Sequence, residues 1–144
     1  MPGSEGFDAV VEQYHHALGE FVKGNPEPLK VVYSRRDDAT LANPFGPTTQ
    51  GWKQCSEAMD LAASHYRDGE VIGFENTAGC VTADLAYIVE VERYEARIGG
   101  REEASPLALR VTSILRPEDG TWKVIHRHAD TITTVRGAES IVQD

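Results

Sequence analysis

The chain has 144 residues, with 14 basic against 23 acidic side chains and a formal charge of −9. That balance excludes the basic surface with which proteins grip a phosphate backbone. No apolar run approaches the roughly 20 residues needed to span a bilayer. Hydrophobic residues make up 40 % and charged residues 26 %, the composition of a folded chain with one core rather than of a disordered one. The start, MPGSEGFDAV, lacks a basic region followed by an apolar stretch, so a cytoplasmic protein is expected. Cys55 and Cys80 do not form a CxxC pair and read as buried thiols rather than as a disulfide or a metal site.

Residues 4 to 23 are predicted to form a helix capped by Ser4. Phe7, Val10, Val11, Tyr14, Leu18, Phe21 and Val22 recur there at spacings of three and four, and Gly24 ends the run. Asn25-Pro26 opens a second, short helix that buries Leu29, Val32 and Tyr33. Ser34 to Gly51 reads as irregular, with turns at Asn43-Pro44 and Gly46-Pro47 and a short strand over Thr40 to Ala42. A third helix is predicted from Trp52 to Arg67, with the stripe Trp52, Cys55, Met59, Ala62 and Tyr66, stopped by Asp68-Gly69. Four strands follow, at 71–80, 85–97, 103–116 and 121–134, turned at Gly99-Gly100 and over Pro117 to Gly120. Long antiparallel strands coil, and the coiled sheet makes a cup that the helices close on one side. The fold expectation is therefore α+β: three N-terminal helices in a cone formed by a strongly curved antiparallel sheet. It forms one domain over residues 1–144 with its core at about 7–134.

The last strand carries the most informative pattern. Read with period two, TWKVIHRHAD places Trp122, Val124, His126, His128 and Asp130 on one face, and Lys123, Ile125, Arg127 and Ala129 on the other. A face that begins apolar and ends in two imidazoles and a carboxylate suggests a pocket wall, greasy at depth and polar near the mouth. His128 paired with Asp130 is a candidate general acid or base; lining the pocket and purely structural hydrogen bonding remain open beside it. The HxH spacing supplies two ligands where zinc needs three or four, so no metal is expected. In the preceding strand, alternation sets Ala108, Arg110, Thr112 and Ile114 on one face. Arg110 then needs a partner, either Asp130, Glu90 or an anionic ligand.

The element order resembles the nuclear transport factor 2-like superfamily, which includes ketosteroid isomerase and the SnoaL-like polyketide cyclases. VVEQYHHAL (Val10 to Leu18) looks like the isomerase first helix. RDDATLANPFG (Arg36 to Gly46) looks like the loop leading into its first strand, and TWKVIHRHAD resembles the last strand of many SnoaL-like proteins. The resemblance implies an oxyanion-binding role for Tyr14. At the position of the isomerase base stands Asn43, which cannot accept and return a proton at neutral pH. The region near Arg110-Val111, matching a further isomerase aspartate, has no carboxylate. Steroid isomerisation by that mechanism is therefore not implied.

These readings converge on a small, mostly apolar molecule held in the cone. Catalysis is assigned to His128, Asp130 and Tyr14, and binding to Asn43, Phe45, Trp52, Arg110, Thr112, His126 and His15. His15 and His16 are adjacent on a helix and cannot both face inward. No phosphate-cradling glycine motif is present, and no cofactor is implied. The resemblance implies a homodimer through the outer sheet face, to which Glu90, Glu92, Arg93, Tyr94 and Glu95 are assigned. Three classes of function stay open: a SnoaL-like isomerase, cyclase or hydrolase, a non-catalytic ligand-binding protein, and a protein-interaction module with a filled cone.

Overall fold

The computed structural model describes residues 2–143, with side chains from residue 6 onward. Three helices, α1 (Pro2–Phe21), α2 (Glu27–Val32) and α3 (Trp52–Ala63), accompany six strands. The strands are β1 (Thr40–Asn43), β2 (Gly46–Gln50), β3 (Tyr66–Val81), β4 (Ala86–Ile98), β5 (Ser105–Glu118) and β6 (Thr121–Asp130). They form one unclosed sheet in the order β2-β1-β6-β5-β4-β3. Every pairing is antiparallel except β1 with β6. The three long strands β3, β4 and β5 form a meander whose irregular register in β3 tightens its curl. The α+β cone architecture expected from the sequence is the one observed.

The helical stripes do what their spacing predicts. Phe7, Val10, Tyr14, Leu18 and Val22 of the first helix are buried, and Val11 and Phe21 pack partly against the core. The helix starts at Pro2, so Ser4 lies inside it rather than at its cap; the Ser4 side chain itself falls outside the described residues. α2 begins one residue later than expected, with Pro26 at the cap position, and the Asn25 side chain still accepts a bond from the Glu27 N–H at 3.2 Å.

Three boundaries differ from the expectation. The segment read as irregular contains a complete hairpin, β1–β2, turned by Pro44-Phe45. Its second strand, GPTTQ, is an exposed edge strand, where proline is tolerated and hydrophobic alternation is not required. The third helix stops at Ala63, and Tyr66 opens β3 instead of closing the helical stripe. Asp68-Gly69 therefore stops no helix. Gly69 donates its N–H to the Val22 carbonyl at 3.0 Å, and a Cβ there would lie 2.2 Å from that oxygen. Only glycine lets the end of α1 approach β3 this closely. The last strand ends at Asp130, four residues short of the predicted limit.

The decisive departure is a β-bulge in β6. Leu115 pairs with Val124 and Ile114 with His126, so Ile125 is an extra residue with no partner on β5. Side-chain direction reverses across it. Trp122 and Val124 are buried before the bulge, and Arg127 and Ala129 after it. The face drawn through Trp122, Val124, His126, His128 and Asp130 is thus not one face. Its second half lies on the outside of the sheet.

Candidate functional site

β4 turns Glu90, Glu92 and Tyr94 into the cone, where all three are buried, and not onto the outer face expected from the sequence. Opposite Glu92 stands Arg127, delivered inward by the bulge. The guanidinium clasps the carboxylate in a bidentate pair, Nη1 to Oε2 and Nη2 to Oε1, both at 2.7 Å. Nη1 also donates to Tyr14 Oη at 2.8 Å, and the Tyr94 hydroxyl donates to Glu92 Oε1 at 2.7 Å. Since a guanidinium can only donate, the Tyr14 oxygen accepts that bond, and it shares a second hydrogen bond with Ser113 Oγ, 2.6 Å away. The result is a satisfied polar network in an apolar surround, with no buried side-chain nitrogen or oxygen lacking a partner among the described residues.

Burial acts on the two phenols and on the guanidinium. It pushes the Tyr14 phenol up, against the pull of Arg127, and pushes Tyr94 well above its ordinary value. Burial alone would lower Arg127, but the Glu92 charge overrides it and holds the guanidinium protonated. Tyr66 is likewise raised by burial, to about 12, and stays a neutral phenol.

Arg127 and Tyr94 border a small internal cavity of ≈ 30 Å³, room for a water or two, walled for the most part by apolar residues such as Leu18, Met59 and Leu109. Asn43, Pro44 and Phe45 close it at the β1–β2 turn. The Phe45 ring packs on His65, with centroids 4.6 Å apart, and edge-on to Tyr66 at 5.8 Å. Outside this plug lie two clefts that share Phe45 as a wall. One, of ≈ 480 Å³, runs between Tyr66, Ile98, the start of β5 and Thr131 and Thr133. The other, of ≈ 280 Å³, lies between β2 and α3.

The site residues named from the sequence fall mostly into two groups, with His15 and Trp52 apart from both. Tyr14, Asn43 and Phe45 belong to the cone, although Tyr14 is fully buried behind Arg127 and does not line the cavity. His126, His128, Asp130, Arg110 and Thr112 share the outer face. Arg110 meets Asp130 in a bidentate pair at 3.0 and 2.7 Å, which answers the question of its partner, and His128 Nε2 lies 3.0 Å from Asp130 Oδ2. Arg110 holds the Asp130 carboxyl down at about 2. His126 binds Thr40 Oγ1 at 2.7 Å, and burial holds its imidazole below the usual range. The pocket wall expected of these residues is therefore corrected to Arg127 and Ala129. His15 takes a third position, between α1 and the sheet. Its Nε2 is 2.9 Å from both Glu90 oxygens, and its ring stacks on Phe74 at 3.8 Å. Trp52 lies half-buried under the Arg35 guanidinium, 4.4 Å from the ring centre, and does not line the cavity. Cys55 is buried as expected, whereas Cys80 is exposed.

Sequence reasoning missed Glu92, Arg127, Tyr94, Ser113 and Tyr66. The signal for Glu92 was present: AYIVEVERYEA alternates with Glu92 between Glu90 and Tyr94, in phase with Ala86 and Ile88. Arg127 carried little signal, because the bulge that turns it inward falls where polar residues replace the apolar alternation.

The SnoaL-like domain family matches residues 8–132. None of the curated proteins matches this sequence. Solved structures with the same fold include a ketosteroid isomerase-like protein from Erwinia carotovora atroseptica. It is 18% identical, with a TM-score of 0.71 over 88% of this chain and 94% of that one. A nuclear transport factor 2-like superfamily protein from Salmonella enterica serovar Typhimurium is 14% identical, with a TM-score of 0.73 over 91% and 92%. A cystatin-like fold protein from Caulobacter vibrioides is 17% identical, with a TM-score of 0.66 over 97% and 94%.

Proposed function

Taking as premise that the chain belongs to the SnoaL-like domain family, we propose that it binds a small, mostly apolar molecule at the mouth of its cone. The observation that carries this reading is the Phe45 plug. It separates a mostly apolar cavity, with polar groups at Arg127, Tyr94, Tyr66 and Asn43, from a surface cleft of ≈ 480 Å³. The cleft has the size of a small-molecule site, and the plug is one side chain on a two-residue turn. A ligand seats in the cleft against Phe45 and Tyr66, and displacement of the Phe45 ring lets it reach the polar base.

The geometry favours binding over turnover inside the cone. Asn43 holds the base position, and the interior carboxylates are engaged, Glu92 with Arg127 and Tyr94 and Glu90 with His15. Acid–base chemistry by His128 and Asp130 would take place at the outer face. The interaction-module reading has its own support in the smallness of the internal cavity, which large side chains nearly fill.

Native mass spectrometry of the protein from its own host, followed by denaturation, tests the proposal together with titration by the uncharged dye Nile red. A retained apolar compound, or a saturable rise in dye fluorescence that changes in Phe45→Ala, supports it. A protein that carries nothing and leaves the dye dark refutes it. His128→Ala should leave binding unchanged; loss of binding in that variant would return the site to the outer face.

A further inference from the structure

The route from solvent to the buried ion pair carries no net charge. The 480 Å³ cleft is lined by apolar side chains, two threonines and the Tyr66 phenol, without an acidic or basic residue. Of the residues lining the internal cavity, Arg127 alone is charged, and Glu92 meets it in a bidentate pair. Glu90, the next inward carboxylate on β4, is turned to His15 beneath α1. Glu118, the remaining buried carboxylate, lies on Arg116 at the other end of β5. The overall charge of −9 gives an anion no attraction towards the molecule.

We infer that Glu92 is the specificity-determining residue of the cone: by cancelling Arg127 it restricts the site to uncharged ligands, and without it Arg127 becomes a receptor for a carboxylate. This rests on the cone being a binding site. A carboxylate entering the wild-type cone would leave water to meet a cation already neutralised, and the buried cluster would hold one uncompensated negative charge. An uncharged carbonyl meets no such penalty. A guanidinium has five N–H groups, and three bonds here go to Glu92 and Tyr14. Donor capacity therefore remains for a neutral acceptor without breaking the ion pair.

The test compares acetophenone with benzoate, which share a ring and nearly a shape, by isothermal titration calorimetry at pH 7.5. Wild type is expected to bind acetophenone at least roughly tenfold more tightly than benzoate. In Glu92→Gln the preference should shrink or reverse, with circular dichroism showing that the variant is folded. Equal binding of the two probes by wild type, or an unchanged ratio in folded Glu92→Gln, overturns the inference while leaving the binding site in place. Should Glu92→Gln fail to fold, its refolding with each probe decides: benzoate, which supplies Arg127 with the missing carboxylate, should restore the folded circular dichroism spectrum where acetophenone does not, and equal or absent rescue overturns the inference. If neither probe binds wild type or Phe45→Ala, the reading of the cone as a binding site fails, and the inference fails with it.

Discussion

Arg127 and Glu92 are both nearly inaccessible, with side-chain exposures of 7% and 0%. Removing one partner strands the other charge in an apolar surround. Glu92→Leu should therefore lower unfolding stability by about 3–5 kcal/mol, measured by urea denaturation. Adding Arg127→Met should restore most of the loss, because an apolar pair of similar volume has no desolvation cost to offset. A double variant as unstable as the single one would show that Tyr14 and Tyr94 depend on the ions more than the ions depend on each other. At His126 the sign is set by burial. Its folded-state affinity for a proton is lowered, so the unfolded chain binds the proton more readily. That contribution is complete above the ordinary histidine pKa near 6.5 and is lost as pH falls below it. The melting temperature should fall from pH 7.5 to pH 5.5, and by less in His126→Gln. Asp130, held down at about 2 by Arg110, keeps its contribution until far more acid pH.

Among the elements, the helices were legible and the edges of the sheet were not. Helical stripes write burial into the sequence every three or four residues, so Phe7 through Val22 could be placed on sight. Edge strand β2 has no buried face to write, and its proline argued against any strand. Tyr66 fitted the helical stripe as well as it fits the head of β3, because both environments bury it. The bulge at Ile125 is harder still. An unpaired residue inside a strand preserves composition and length, and shows only as a phase reversal that His126 and Arg127 disguise. The candidate site was partly legible for that reason: Tyr14, Asn43 and Phe45 were expected in the cone, where they lie, and its ion pair was not. The junction of α1 and β3 offers a sharper test of local geometry. Gly69→Ala forces a Cβ against the Val22 carbonyl, and about 1–3 kcal/mol of destabilisation is expected in thermal or urea melts. A neutral result would mean that the helix end can retreat from the strand.

At the scale of the whole molecule, the outer sheet face has an apolar strip. Tyr87 lies opposite Ile114, Val89 opposite Thr112, and Val91 opposite Arg110, with Tyr87 42% exposed. We propose that this face pairs with a second copy. Light scattering after gel filtration should give twice the 15.8 kDa chain mass, and Val91→Glu should return it to that of one chain. Wild type eluting as a single chain at micromolar concentration would remove this surface from the assembly. Among the described residues no helix is long and apolar enough to cross a membrane.

The bulge in β6 also bears on how such cones change over evolutionary time. The bulge absorbs Ile125 as an extra residue, so the later residues keep their partners on β5 with Arg127 and Ala129 inward and His126, His128 and Asp130 outward. A relative that kept Ile125 but paired it in a regular ladder would slip the register by one and present an imidazole lumen with no substitution at any functional position. Relatives aligned residue by residue across this strand can then agree in sequence and still differ in the chemistry they enclose.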